Sequence, residues 1–365
     1  MPTIRRIAIN TGGGDAPGLN AVIRAATLSA RRRGWDVIGI RRGYTGLLDT
    51  NDTVQLDSDA VRGITHLGGT ILGTTNRGHP FEFPRETADG GVELVDRSDE
   101  VIENARRLGI DALIAIGGDS SMDIAHHLAH KGLPVVGVPK TIDNDLDGTV
   151  VTFGFDTAVT VATDAIGRLH STAEAHERVF TVEVMGRYAG WIALHAGIAG
   201  GADAILIPEV PYDVEAVCRK IRDREARGRR FSIVVVAEGA RPKDGDVTTK
   251  REAQPGAQEV LGGVADRLAR EIESRTGKET RSVVLGHLQR GGHPTSYDRL
   301  LALRFGAAAV RVIAEGKRDV MVALDPPNVL TIPLADATRR MKTVPLDGDT
   351  IHTAREIGLC LGDEY

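Results

Sequence analysis

The segment Pro139-Lys140-Thr141-Ile142-Asp143-Asn144-Asp145 sets one cation, one hydroxyl and two carboxylates in a single short loop. The apolar run from Leu133 to Val138 comes just before it and reads as a short buried strand. The acidic loop therefore begins where a parallel strand ends, which is where open α/β sheets place their ligands. That group of side chains suits phosphoryl transfer. One carboxylate can take a hydroxyl proton while the lysine offsets charge on the moving group. Taken alone, the segment also reads as an Asx-rich surface turn.

Two further turns repeat the pattern. Asp111 to Ile116 reads as a buried strand, followed by Gly117-Gly118-Asp119-Ser120-Ser121 and a helical stretch from Met122 to about His130. Strand, glycine pair and helix N-terminus together bind phosphate on bare backbone N–H groups. Asp119 beside them is a natural ligand for Mg²⁺. Near the start, the strand Arg6 to Asn10 leads into Thr11-Gly12-Gly13-Gly14-Asp15-Ala16-Pro17-Gly18, then a helix from Leu19 to about Arg33. This turn is neither Gly-x-Gly-x-x-Gly nor a Walker A sequence, so a dinucleotide fold is not indicated.

These sites need a scaffold, and the chain reads as α/β throughout. Buried strands are expected at Ile7–Asn10, Val37–Ile40, Ala112–Ile116, Val135–Val138, Phe180–Val184, Ala204–Ile207, Ile233–Ala237 and Val283–Gly286, with helical stretches between most of them. The polar run Ala240–Gln258 reads as a mobile surface loop. A length of 365 residues suggests two domains, and 41% apolar residues with 43 glycines suffice for cores and tight turns. Only 4% aromatics and a net charge of −5 argue against nucleic acid as a partner. Cys218 and Cys360 suggest neither disulfides nor zinc, and Cys218 reads as core. No apolar run approaches a membrane span and Met1–Arg6 lacks a signal core, so no membrane association and a cytoplasmic location are expected. His126 and His130, at i and i+4, read as a solvated helix face because no further ligand lies at useful spacing.

Gly13-Gly14-Asp15-Ala16-Pro17-Gly18, Gly117-Gly118-Asp119, Thr141-Ile142-Asp143-Asn144-Asp145, Glu183-Val184-Met185-Gly186-Arg187 and Gly286-His287-Leu288-Gln289-Arg290-Gly291-Gly292 follow one another along the chain. In this order the chain resembles the 6-phosphofructokinase superfamily, from about residue 4 to about residue 325. The resemblance implies two Rossmann-like three-layer lobes with mainly parallel sheets. Residues 1–154 plus about 289–338 would hold the phosphoryl donor, and 155–288 plus about 339–365 the sugar phosphate. It implies transfer to the 1-hydroxyl of fructose 6-phosphate, with Mg²⁺ on Asp119, in a homotetramer whose sites are shared between subunits.

The same resemblance gives the residues their roles. Asp143 would be the base, with Lys140 and Arg187 assisting catalysis. Gly13, Gly14, Arg77, Gly118, Asp119, Ser120 and Ser121 would hold the donor. Thr141, Asp145, Met185, Gly186, Arg187, Glu238, His287 and Arg290 would hold the sugar phosphate, and Arg178 and Arg281 would reach in from a neighbouring subunit. Guanidinium forks suit phosphate, although any single arginine also reads as a surface ion pair. Locally His287 reads as structural; its spacing to Arg290-Gly291-Gly292 gives it the 6-phosphate.

Donor choice rests on two departures. ATP-using bacterial members commonly carry glycine after Gly-Gly-Asp, and pyrophosphate users aspartate; this chain has Ser120. Lys140 is typical of pyrophosphate users, though some ATP users share it. The missing carboxylate favours a nucleotide, ATP by default, with ADP and pyrophosphate open. Arg77 stands one place from the usual donor arginine. Leu28 and His170 replace arginines of the effector site, to which Arg24, Arg229 and Arg230 still conform, so weakened effector control is expected. A non-catalytic sugar-phosphate-binding homologue is the alternative from another class, and retention of Asp119, Asp143 and Asp145 speaks against it.

Overall fold

The computed structural model describes residues 4–49, 52–88, 90–251 and 259–363. Its strands are β1 (Arg6–Thr11), β2 (Asp36–Ile40), β3 (Thr53–Gln55), β4 (Phe83–Glu86), β5 (Val92–Val95), β6 (Ala112–Gly117), β7 (Val135–Pro139), β8 (Val179–Val184), β9 (Ala204–Leu206), β10 (Ser232–Ala237), β11 (Thr249–Arg251), β12 (Val260–Leu261), β13 (Thr280–Val284), β14 (Val320–Asp325) and β15 (Asn328–Pro333). Seven of them form one sheet in the order β15-β14-β7-β6-β1-β2-β3. The interior pairs are parallel, and only β15 and β3 run antiparallel, at the edges. A second sheet, β13-β8-β10-β9, is wholly parallel.

Every residue of β6, β7, β8 and β10 is buried. Such continuous apolar runs mark parallel strands covered on both faces by helices. The helices Leu19–Arg31 and Ser296–Ala314 cross so closely that a Cβ on Gly306 would lie 2.5 Å from the Val22 carbonyl. Glycine at that crossing lets the backbones meet. One core cluster runs through both sheets, from Ile7 and Phe305 to Val182 and Val235.

The expected strands are present, with one shifted. The strand expected at Val283–Gly286 spans Thr280–Val284, in register with Val179 to Glu183 of β8. Gly286 takes a left-handed φ of 48° and opens a 3-10 turn, Gly286–Arg290, so the ladder cannot continue there. Within the polar run Ala240–Gln258, Thr249–Arg251 pairs antiparallel with Val260–Leu261; 252–258 lies outside the described residues, as does Met1–Thr3. Cys218 and Cys360 are both buried. Among the described residues no helix is long and apolar enough to cross a membrane.

Candidate active site

Three turns meet at the C-terminal ends of β1, β6 and β7. The helix after β6 begins at Asp119, three residues earlier than its sequence pattern suggests, with extended Gly118 as its cap. Asp119, Ser120 and Ser121 therefore form its first turn, where backbone N–H groups lack helical partners. Asp119 and Ser120 are exposed, whereas the Ser121 side chain is buried. The Ser121 Oγ would lie 2.6 Å from a Cβ on Gly12 and 2.4 Å from one on Gly117, so both positions must be glycine. Gly13 has φ 74°, its N–H donates to the Thr75 carbonyl at 3.2 Å, and its own carbonyl accepts from the Thr74 hydroxyl. Arg77 is exposed, two residues beyond Thr75.

Lys140 comes directly after β7 and is 3% exposed. Its ammonium donates to the Gly14 carbonyl and lies 3.4 Å from where a Gly13 Cβ would stand, so it points into the first glycine turn. Burial, then the neighbouring Arg290, lowers its pKa to about 8. Arg290 arrives from the Gly286–Arg290 turn and donates to the Asp15 carbonyl at 2.8 Å; a Cβ on Gly14 would stand 3.0 Å from its Nη1.

The acidic loop is held from several sides. Asn144 has φ 52°, a left-handed conformation that Asn tolerates better than most residues. It is buried, and its Oδ1 accepts from Thr152 N–H at 3.1 Å and Lys342 Nζ at 2.8 Å. The Thr141 hydroxyl accepts from Asp143 N–H at 3.1 Å and also bonds Asp145. Asp143 is half-buried, and its Oδ1 is shut off from water without a hydrogen-bond partner among the described residues. Burial, followed by repulsion from Asp145, raises Asp143 to about 6, although Arg290, Lys140 and Arg187 pull it down. Burial likewise raises Asp145. Asp119, although its side chain is open to solvent, is raised by partial desolvation among its neighbours and then by Asp145 and Asp123. Such a crowd of carboxylate oxygens fits a hard divalent cation, which would relieve their repulsion.

The second sheet supplies the opposite wall from the ends of β8 and β10. Met185 is half-buried against the core, and its N–H reaches Gln289 Oε1 at 3.4 Å. Gly186 has φ 137°, and a Cβ there would press on the Ala189 carbonyl at 2.9 Å. Arg187 is half-buried; it donates to the Glu259 carbonyl at 2.6 Å and faces its carboxylate at 3.4 Å. Glu238 is raised to about 7 by burial and then by Asp143, against the pull of Arg187 and Arg290. These mutual influences bring Lys140, Asp143, Arg187, Glu238 and Arg290 together from separate stretches of chain. His287 is exposed on the Gly286–Arg290 turn at the rim.

Arg178 and Arg281 stand elsewhere. Arg178 precedes β8 and Arg281 lies near the start of β13, opposite Phe180. The six residues of β8 separate them from Met185 by roughly 20 Å at about 3.3 Å per residue. Glu279 holds both guanidinium groups, Arg178 at 2.7 Å.

Sequence reasoning missed Lys342. It lies in the tail, beyond the stretch that carries the family resemblance, yet Nζ also donates to the Thr149 and Val150 carbonyls at 2.9 and 3.1 Å, and its carbonyl accepts from Trp191 Nε1 at 2.9 Å. Gln289, fully buried beneath the Gly286–Arg290 turn, was likewise read only as part of a motif.

The sequence model of phosphofructokinase matches residues 6–313. The chain belongs to the phosphofructokinase family. Within it, the chain is 51% identical to an "ATP-dependent 6-phosphofructokinase" of Chloroflexus aggregans over 99% of this chain and 98% of that one. It is equally, 51%, identical to a "Pyrophosphate--fructose 6-phosphate 1-phosphotransferase" of Streptomyces coelicolor over 93% of this chain and 96% of that one. Among solved structures, the phosphofructokinase of Saccharomyces cerevisiae superposes with a TM-score of 0.78 at 30% identity, over 97% of this chain and 47% of the yeast chain, so this chain spans about half of that longer one.

Proposed function

We propose that the chain is a 6-phosphofructokinase, a phosphotransferase that moves the terminal phosphoryl group of ATP to the 1-hydroxyl of fructose 6-phosphate in glycolysis. The observation that carries this reading is the convergence of Asp143, Lys140, Arg187, Glu238 and Arg290 between the strand ends of two sheets. In this reading residues 1–154 plus about 289–338 hold the donor, and 155–288 plus about 339–365 hold the sugar phosphate.

Asp143 takes the proton of the 1-hydroxyl. The oxygen attacks the terminal phosphorus, the bond to the bridging oxygen breaks, and ADP leaves. Burial has poised the base near neutrality, where a catalytic base works best. Lys140 and Arg187 offset charge on the moving phosphoryl group, which is mostly a matter of position and electrostatics. The first-turn N–H groups at Gly118–Ser121 cradle donor phosphates, with Ser121 contributing backbone only; Gly13 and Gly14 let the phosphates approach a turn whose Gly12 and Gly13 N–H groups are taken by Ile116 and Thr75, and exposed Arg77 reaches the donor. Asp119 holds Mg²⁺, which neutralises phosphate charge when bound. Thr141, Asp145, Met185, Gly186 and Glu238 surround the sugar, and His287 and Arg290 its 6-phosphate. Arg178 and Arg281 complete the site of a neighbouring subunit in a tetramer, and the enzyme acts in the cytoplasm.

A coupled assay of the purified enzyme with fructose 6-phosphate tests this reading. Turnover with ATP well above that with ADP or pyrophosphate is expected. No turnover with any donor would leave a silent sugar-phosphate binder. Pyrophosphate is the second reading, because Lys140 occupies the donor turn and one close relative bears a pyrophosphate-dependent name. Dominant pyrophosphate turnover would establish it.

A further inference from the structure

We propose a second cation site, built by His126, His130 and Asp319 at the far end of the Asp119–His130 helix, for a borderline transition ion such as Zn²⁺, Ni²⁺ or Cu²⁺. The two histidines alone read as a solvated face. The fold adds a third ligand 193 residues from His126: Asp319, at the entry to β14, puts Oδ1 2.8 Å from His126 Nδ1. One potential ligand atom from each of the three residues lies within 4.8 Å of the others.

Several features organise the cluster for an ion. His130 Nδ1 is 3.0 Å from the His126 carbonyl, which can only accept, so this nitrogen carries the proton and Nε2 keeps its lone pair. Metal-binding histidines are typically oriented this way, donating their other N–H to a carbonyl or carboxylate. The two rings stand edge to face with centroids 4.3 Å apart. Asp319 is fixed from both sides: its N–H donates to Val135 at 2.9 Å and its carbonyl accepts from Leu334 N–H at 3.1 Å. His127 points away, towards Asp123 and the Phe81 ring, and takes no part. A tetrahedral ion with Zn–N bonds of about 2.0–2.1 Å needs donors roughly 3.4 Å apart, within reach of side-chain rotation from the present separations.

The ligand set also separates this site from the active site. Imidazole suits Zn²⁺, Ni²⁺ and Cu²⁺, while Mg²⁺ prefers oxygen. Mg²⁺ should therefore stay with the carboxylates near Asp119 and leave the histidines to a softer ion. An ion held here ties the helix that begins at the donor turn to β14, the strand next to the β15 edge of the larger sheet. Because it binds only the folded chain, it raises thermal stability.

The test uses the full chain, stripped by a chelator and titrated with Zn²⁺ by calorimetry in excess Mg²⁺, with Cu²⁺ electron paramagnetic resonance alongside. One Zn²⁺ per chain, nitrogen splitting from imidazole and a raised Tm are expected. His130→Gln and Asp319→Asn should each weaken Zn²⁺ by at least about tenfold, since even indirect partners of metal ligands are worth 10–100-fold. Both should keep wild-type turnover and metal-free Tm, which shows that they fold, and His127→Gln should bind like wild type. No zinc binding, displacement by Mg²⁺, or unchanged affinity in both ligand variants overturns the site.

Discussion

The second sheet carries arginines at both of its ends, and the two ends differ in what surrounds them. At the C-terminal end, Arg187 and Arg290 both act on Asp143 and Glu238, carboxylates from separate stretches of the same chain, and Arg187 also pairs with Glu259. At the opposite end, Arg178 and Arg281 meet only Glu279 among the charged groups within ion-pair distance in the described residues. Both are partly open to solvent, with side-chain exposures of 26% and 54%. One end is complete within the chain. The other holds two guanidinium groups roughly 20 Å from that centre, too far to act on its own substrate. Strand direction alone produces this contrast, because a residue before a strand and a residue after it cannot share a site.

The largest effect should come from the complete end. Asp143→Asn removes the only proposed base and keeps its size, so kcat should fall by roughly 10²–10⁴-fold. Binding of fructose 6-phosphate, followed by calorimetry, should change little. Near-normal turnover would move the base elsewhere, with Asp145 the first alternative.

The open end makes a different claim. Arg178→Ala and Arg281→Ala should raise the KM for fructose 6-phosphate strongly, by about tenfold or more, as expected for a lost phosphate-pairing charge. Mixed with Asp143→Asn subunits, Arg178→Ala subunits should regain activity, since some hybrid sites then hold both wild-type residues. Proven subunit exchange without recovery would mean that the arginines serve only their own chain, and the contrast between the ends would be structural alone.

Titration sharpens the complete end further. Asp143 is raised to about 6 and must be ionised to act, so activity should fall as pH drops below that value. Lys140 is lowered to about 8 and must be charged to act, so activity should fall again above it. A bell-shaped profile of kcat/KM follows, with the acid limb belonging to the Asp143–Asp145 pair jointly. Lys140→Met should remove the alkaline limb and leave the acid one. A flat profile between pH 5 and 9 would show that neither group governs the reaction.

Much of this was legible in the sequence because each turn carries its own strand and helix. Gly117-Gly118-Asp119 could be placed from its neighbours alone, and so could the loop after Val138. Two kinds of feature were not legible. Strand ends were blurred where apolar residues outlast the ladder, as Leu285 does beyond β13. Partners distant in sequence were invisible: Asp319 beside His126, Glu259 beside Arg187, Lys342 beside Asn144. Local periodicity gives the face of an element, but only the packed fold decides which charged tail residue is drawn inside.

Lys342 gives the last prediction. Its pKa is lowered to about 8 by burial, and three oxygens from Asn144, Thr149 and Val150 accept its protons. It touches none of the expected substrate groups, so its part is to hold the loop between Asp143 and Asp145 in its left-handed turn. Lys342→Met keeps the stem over Trp191 and strands those three acceptors. A hydrogen bond to a charged group is worth about 1.5–3 kcal/mol, so kcat should fall by roughly 10–100-fold with the KM for ATP nearly unchanged. A second readout separates positioning from general loosening. The Lys342 cation lowers the pKa of Asp145, so its loss should raise that carboxylate and carry the acid limb of the pH profile upward. A lower kcat with the acid limb unmoved would mean that Lys342 supports the fold without setting the charge of the catalytic loop.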